Sequence, residues 1–166
     1  MVTLLRLATR SAWTGCDSSG LGPADRQRAI DNLKLRPDEE GLSLWELAKP
    51  GELELVAAAV ACQRRRVQNV DYIKIDSGIV SSLARSLSVR ETPQSPKQTN
   101  FIRELLCSGI QAHLLAERLL ELQTRAERIG QGKIKELLLG LGPEDVTDPA
   151  TKEWLLTLAR GPLRDA

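Results

Sequence analysis

Histidine is the side chain that most often binds metals and transfers protons near neutral pH, and the 166-residue chain has one, His113. A zinc site needs three or four ligands at close spacing. No second histidine is present, and Cys107, on the same predicted helix, is six residues away. We therefore expect His113 to be a boundary residue of the fold, and the sequence predicts no metal site.

The three cysteines are the other candidate nucleophiles. Cys62 lies in an alanine-rich stretch and Cys107 among apolar residues, which is typical of small core side chains. Cys16 lies in a loop rich in glycine and serine, and a lone loop cysteine identifies no active site. Their odd number and unpaired spacing indicate a reducing compartment rather than a disulfide framework. No catalytic residue is assigned from the sequence.

Phosphate-binding glycine motifs of the G-x-G-x-x-G and G-x-x-x-x-G-K-[ST] types do not occur in the sequence. We accordingly expect no cofactor. The chain is predicted to be non-enzymatic, and an enzyme of unrecognised class, with catalytic groups spread over its loops, is kept as one alternative.

Positive charge is concentrated at Arg64, Arg65 and Arg66, whereas the formal net charge of the whole chain is only +1. Nucleic-acid binding would therefore depend on this local cluster rather than on a field of the whole protein. The cluster follows a predicted helix, whose C-terminal end also favours cations. Nucleic-acid binding through these arginines is a second alternative, and a solvated helix end is the other interpretation of the same residues.

Apolar residues between Ser95 and Ile129 recur at steps of mostly three and four. This spacing places them on one helix face and predicts a single long helix. Ser95 and Pro96 suit its start, and Gly130 suits its end. At 1.5 Å per residue the helix would be roughly 50 Å long, more than a domain of this size easily covers.

An apolar stripe that its own domain leaves uncovered would bind another protein. The predicted interaction surface is Phe101, Leu105, Leu115, Leu119, Leu122 and Trp154. We expect either a protein partner or a homo-oligomer. In the alternative interpretation, the C-terminal helices of the same chain cover the stripe.

The first half of the chain changes its hydrophobic period several times. Leu42 to Leu47 is predicted as a strand, the segment after Gly51 as a helix, and Val70 to Ile75 as a second strand. Asp76 or Ser77 can cap a further helix with Leu87 among its inward residues. A strand, helix, strand order predicts two parallel strands, and Val2 to Ala8 or Ile30 to Leu35 would add a third.

The predicted fold class is α+β and predominantly helical. A small sheet containing a βαβ unit is followed by a C-terminal helical bundle with one long helix. The predicted boundaries are an α+β subdomain over 1–90, a linker over 91–98 and a helical subdomain over 99–166, with one compact domain as the alternative. Two prolines and the absence of a large apolar residue mark the linker.

The apolar runs are broken by charge within about ten residues, so we expect no membrane span. A cytoplasmic protein is the default prediction. Met1 to Gly15 contains arginines and hydroxyl residues but no acid, a composition that also occurs in organellar transit segments, so this location is a minor alternative. Taken together, the sequence favours a non-enzymatic interaction or assembly subunit.

Overall fold

A computed structural model describes residues 2–13, 23–90, 96–97 and 103–161. They separate into two compact units. The first comprises Met1–Ala48, Asp71–Arg90 and Arg103–Arg128 and contains most of the sheet, and the second comprises Lys49–Val70, Glu91–Ile102 and Ile129–Ala166. The architecture is mixed α and β.

In the described residues, six strands form one sheet in the order β4-β5-β2-β1-β3-β6. The paired registers of β1 with β2, β1 with β3, β2 with β5 and β4 with β5 are all antiparallel. The strands are β1 (Thr3–Leu7), β2 (Leu42–Leu47), β3 (Val70–Asp76), β4 (Ser86–Arg90), β5 (Glu104–Ser108) and β6 (Glu127–Ile129).

Three helices belong to the first unit: α1 (Pro23–Leu33), α3 (Ser77–Leu83) and α4 (Ala112–Glu121). Helix α4 contacts both α1 and α3. Together with one face of the sheet they form a hydrophobic core. The fully buried residues of this core include Leu42, Leu44, Ile73, Leu33, Leu115 and Leu119.

The second unit contains α2 (Glu52–Arg64), α5 (Gln131–Leu139) and α6 (Pro149–Arg160). Helix α5 contacts both α2 and α6. Asn69 Oδ1 accepts a hydrogen bond from the backbone N–H of Gln131 at the start of α5 (2.8 Å). At the start of α6, the Asp148 carboxylate accepts from the backbone N–H of Thr151 (2.8 Å), which satisfies one of the free N–H groups of that helix.

Several local predictions are confirmed. Strand β2 covers the predicted range, β3 extends the predicted range by one residue, and α2 begins directly after Gly51. Asp76 caps α3 by accepting from the N–H of Gly78 (2.7 Å). Val2 to Ala8 supplies the further strand as β1. The other candidate for that strand, Ile30 to Leu35, instead overlaps the end of α1.

The predicted long helix over Ser95 to Ile129 is wrong. The described part of this range holds β5, α4 and β6 in place of one helix. Gly109, with φ of 72°, lies between β5 and α4 in a backbone conformation that interrupts a helix. Pairing of β5 with both β2 and β4 therefore prevailed over an apolar spacing that also suits a helix.

Strands β2 and β3 have the predicted common direction, but they are not neighbours in the sheet. Both strands run antiparallel to β1, which lies between them in the sheet. They therefore share a direction but do not pair with each other. In the described residues the sheet is larger than the predicted three or four strands, because β4, β5 and β6 come from segments predicted as helix.

The predicted linker over 91–98 lies outside the described residues except for Pro96 and Lys97. Residues 2–13, part of the segment with transit-like composition, form β1 and a short 3-10 turn (Arg10–Ala12). Within the described ranges, every helix is too short or too polar to cross a bilayer.

Candidate protein-binding edge

The residues predicted as an interaction surface do not form one stripe. Leu105 lies in β5, and Leu115 and Leu119 face the core from α4; all three are buried. Leu122 follows α4 and is exposed, whereas Trp154 lies on α6 in the second unit. Phe101 lies outside the described residues. The described members of this set therefore do not share the face of one long helix.

Arg64, Arg65 and Arg66 are exposed at the C-terminal end of α2. The backbone N–H groups of Arg65 and Arg66 donate to the carbonyls of Cys62 and Ala61, both at 3.1 Å, and Arg65 has a left-handed φ of 47°. These bonds close the helix end. Exposed cations at a helix terminus suit solvent as well as phosphate, so the nucleic-acid alternative stays a prediction.

The described cysteines, Cys62 and Cys107, are both fully buried. Burial raises the pKa of the Cys62 thiol to about 12 and that of Cys107 to about 11. Such thiols are poor nucleophiles because little thiolate is present at neutral pH. His113 is exposed on α4, and the described residues contain no group of three His, Cys, Asp or Glu side chains able to hold a metal ion. Cys16 lies outside the described residues.

Strand β4 is the outermost strand at one end of the sheet. It pairs with β5 on one side, and among the described residues no strand pairs with its other side. Leu87 lies opposite Cys107, and Val89 lies opposite Leu105. Because opposite residues of an antiparallel pair share a face, Leu87 and Val89 are on the core face of the sheet.

The exposure of these two side chains differs sharply from that of their neighbours on the same face. Leu87 is 43% exposed and Val89 is 56% exposed, whereas Leu42 and Leu44 of β2 are 0% exposed. The apolar face of the sheet therefore extends to β4, one strand beyond the part that the described helices cover. An unpaired edge with exposed apolar side chains is the usual template for pairing with another strand.

Leu87 and Val89 border a groove of about 250 Å³, which we call the edge groove. Its apolar wall also includes Val2, Leu4 and Leu105. Two serines of α3, Ser77 and Ser81, line it as well, together with Glu46 and Arg103, which form an ion pair at 3.5 Å. The groove therefore lies on the core face of the sheet, beside the exposed side chains of Leu87 and Val89.

A partly buried polar pair links β2 and β5. Ser43 Oγ donates a hydrogen bond to Glu104 Oε1 (2.5 Å), and the Glu104 side chain is 5% exposed. Among the described residues, its Oε2 atom has no hydrogen-bond partner. Arg6 donates through Nη1 to the Ser43 carbonyl (3.0 Å), and burial lowers the pKa of Arg6. These contacts fix β1, β2 and β5 in register.

The other end of the sheet is held by charged pairs. Arg128 of β6 makes a two-pronged ion pair with Asp71 of β3 (2.6 and 2.9 Å), and this hydrogen bonding lowers the pKa of Asp71. Glu127 accepts from Tyr72 Oη (2.7 Å) and from Lys74 Nζ (3.0 Å). Strand β6 is therefore anchored by side chains of both signs.

A second groove, of about 550 Å³, lies between α3 and α4. Its charged lining includes Asp76, Glu117, Arg118 and Glu121. Asp76 caps α3, and Arg118 forms an ion pair with Glu121 (2.9 Å). Capping and ion pairing thus account for most of its charge.

The sequence signal for the edge is the alternation Ser-Leu-Ser-Val over residues 86–89. A period of two is typical of a strand with one apolar face. The sequence prediction instead placed Leu87 on a helix that began at Asp76 or Ser77, whereas α3 ends at Leu83. The exposure of Leu87 and Val89 depends on where the covering helices end, which the local pattern does not contain.

Comparison with known proteins finds no match for this chain among family models, curated proteins or solved structures.

Proposed function

We propose that this chain is a non-enzymatic assembly subunit that binds an extended segment of another polypeptide by strand addition at β4. The observation that carries the proposal is the exposure of Leu87 and Val89 on the apolar face of an edge strand. Main-chain hydrogen bonds to the free edge would supply affinity, and side-chain contacts on the apolar face would supply selectivity.

Proteins usually protect an edge strand from unwanted pairing with lysine, proline, a bulge or a covering element. The sequence of β4 is Ser-Leu-Ser-Val-Arg and contains neither lysine nor proline. Its one charged residue, Arg90, is at the end of the strand. The central three residues therefore offer no charge that would oppose an incoming strand.

The alternation of β4 defines the side chains that a bound segment needs. Leu87 and Val89 project to one face, two residues apart, and Ser88 lies between them on the other face. A matching segment has two apolar residues separated by one residue, with small polar residues at the alternate positions. At the groove's rim, the hydroxyls of Ser77 and Ser81 can form hydrogen bonds with the main chain or with a polar side chain of the bound segment.

A peptide-binding assay tests this proposal. Fluorescently labelled eight-residue peptides with alternating Leu or Val and Ser or Thr are titrated with the chain, at dilutions at which sedimentation shows a monomer. Peptides of the same composition with the apolar residues in one block serve as controls. We expect the alternating peptides to bind at least about tenfold more tightly, a difference of about 1.4 kcal/mol.

Variants locate the binding surface. The double variant Leu87→Lys, Val89→Lys adds two charges to the edge and should abolish peptide binding. Leu139→Lys is the matched control, because Leu139 is 49% exposed on α5 in the second unit. Binding of alternating peptides that persists in the double variant, or equal binding of both peptide types, would refute strand addition at β4.

A further inference from the structure

Strand β4 is complementary to itself, and from this we infer that its partner is a second copy of this chain. This inference rests on the proposed function of the β4 edge. Two copies related by a twofold axis at Ser88 would join antiparallel, edge to edge. A closed interface of this type uses the same surface on both copies.

The register follows from the sequence of the strand. With the axis at Ser88, Leu87 lies opposite Val89 of the second copy, Ser88 lies opposite Ser88, and Ser86 lies opposite Arg90. Opposite residues share a face, so the apolar residues of the two copies meet on the core face. All five residues of β4 take part in this arrangement.

Other registers of the two β4 strands are less favourable than the one with the axis at Ser88. A shift of one residue between the two β4 strands would place apolar residues opposite serines. Such residues lie on different faces of the sheet and cannot pair directly. With the twofold axis at Leu87 or Val89, only three residues of each β4 strand pair with β4 of the second copy. An axis at Arg90 would place like charges opposite each other, which is unfavourable. Ser88 is therefore the position that combines full overlap with matched faces.

The pairing would also complete the apolar face. Leu87 and Val89 of one copy, together with the same residues of the other, would form a four-residue apolar cluster beside the two edge grooves. The side chains exposed in a single chain become the centre of the contact. The two sheets then continue as one, and neither copy keeps a free β4 edge.

Disulfide trapping tests the register. In a Cys16→Ser background the remaining native cysteines, Cys62 and Cys107, are buried. At the axis, the Cβ atoms of two Ser88→Cys residues would be about 4.5–5.5 Å apart, close to the roughly 3.5–4.5 Å of a disulfide. Mild oxidation should convert most of this variant to a covalent dimer.

Ser86→Cys is the matched control, since Ser86 is an exposed serine on the same strand and the same face. In the proposed register its Cβ atom lies roughly 13 Å from its counterpart, four residues along the strand. It should form at least about tenfold less covalent dimer. Adding Leu87→Lys and Val89→Lys to the Ser88→Cys variant should remove the crosslink.

Sedimentation equilibrium gives an independent readout without cysteine. The unmodified chain should approach twice its mass of 18.3 kDa as its concentration rises. The Leu87→Lys, Val89→Lys variant should stay monomeric, and Leu139→Lys should behave as the unmodified chain does.

A monomeric chain at all concentrations, or equal crosslinking of Ser86→Cys and Ser88→Cys, would overturn the second-copy inference. If alternating peptides still bound at β4 in that case, the proposed function would stand with a different partner. If neither peptides nor a second copy bound, both proposals would fail.

Discussion

Strands β2 and β4 both place apolar side chains on the core face of the sheet, but those of β2 are buried and those of β4 are exposed. Leu42 and Leu44 of β2 are completely buried in the core. Leu87 and Val89 of β4 lie on the same face, on the far side of β5, and are about half exposed. The helical cover of the first unit, and not the alternation within the strand, separates a buried core strand from an exposed edge strand.

The two ends of the sheet also differ in the side chains that they expose. At one end β6 is fixed to β3 by the Asp71–Arg128 ion pair and by Glu127 with its two donors. At the other end β4 has exposed apolar side chains and a free edge among the described residues. Strand β6 is also an edge strand, but its charged residues Glu127 and Arg128 oppose the addition of another strand, whereas the central residues of β4 carry no charge.

Thiol reactivity should show the largest difference between covered and uncovered positions. Leu87→Cys, in a Cys16→Ser background, places a thiol directly opposite Cys107 in the β4–β5 pair. The new thiol should react with a thiol reagent at pH 8 about 10³-fold faster than Cys107 or more, because Cys107 must wait for unfolding. The release of the reagent's chromophore measures both rates in a dilute, monomeric sample. Equal rates would mean that the core side of β5 is open.

Truncation of an apolar side chain should destabilise the protein much more in β2 than in β4. Leu44→Ala should lower the free energy of unfolding by about 2–5 kcal/mol, because it removes fully buried atoms and leaves a cavity. Val89→Ala should change it by no more than about 0.5 kcal/mol in the monomer. Urea denaturation followed by circular dichroism measures both. Similar losses at the two positions would show that β4 is covered.

The serines of the two strands provide a polar version of this test. Ser43→Ala removes the donor to Glu104 Oε1 and leaves a buried side chain whose other oxygen has no partner in the described part of the chain. We expect a loss of about 1–3 kcal/mol. Ser88→Ala, at an exposed position of β4, should have almost no effect on the monomer. If Ser43→Ala were equally neutral, the buried pair would not contribute to the register.

The ion pair at the β6 end should give the smallest effect, and its sign depends on pH. Hydrogen bonding to Arg128 lowers the pKa of Asp71 in the folded state, so the pair's contribution is complete above the unfolded pKa of about 3.9. It is lost as the pH falls through the folded value. Arg128→Ala should therefore lower the urea midpoint slightly at pH 7, and this difference should shrink below about pH 4. A difference that grew towards low pH would contradict the assigned pairing.

Local chemistry predicted the parts of the fold that depend on neighbouring residues. The alternation in β2, the Gly51 boundary of α2 and the cap at Asp76 are all confirmed. Each rests on hydrogen bonds or side-chain spacing within a few residues. The order of the sheet could not be predicted in this way, because it depends on pairing between distant segments.

The candidate site shows the same limit. Residues 104–108 fit a helical spacing when counted with the segment that follows, and only their pairing with β2 and β4 makes them a strand. Leu87 was predicted to be inward on a helix, yet it lies on an exposed edge strand. Which apolar residues stay uncovered is decided by the extent of α1, α3 and α4, a property of the assembled unit.

Hydrogen–deuterium exchange of the β4 amides tests the central claim most directly. The chain is compared alone, at a monomeric dilution, and after addition of an alternating peptide or at high concentration. We predict that the β4 amides that point away from β5 exchange rapidly in the monomer and become at least about tenfold more protected on binding, while those of β2 stay protected throughout. Protection of β4 in the dilute monomer equal to that of β2, or no gain on binding, would contradict the assignment of β4 as the edge that accepts another strand.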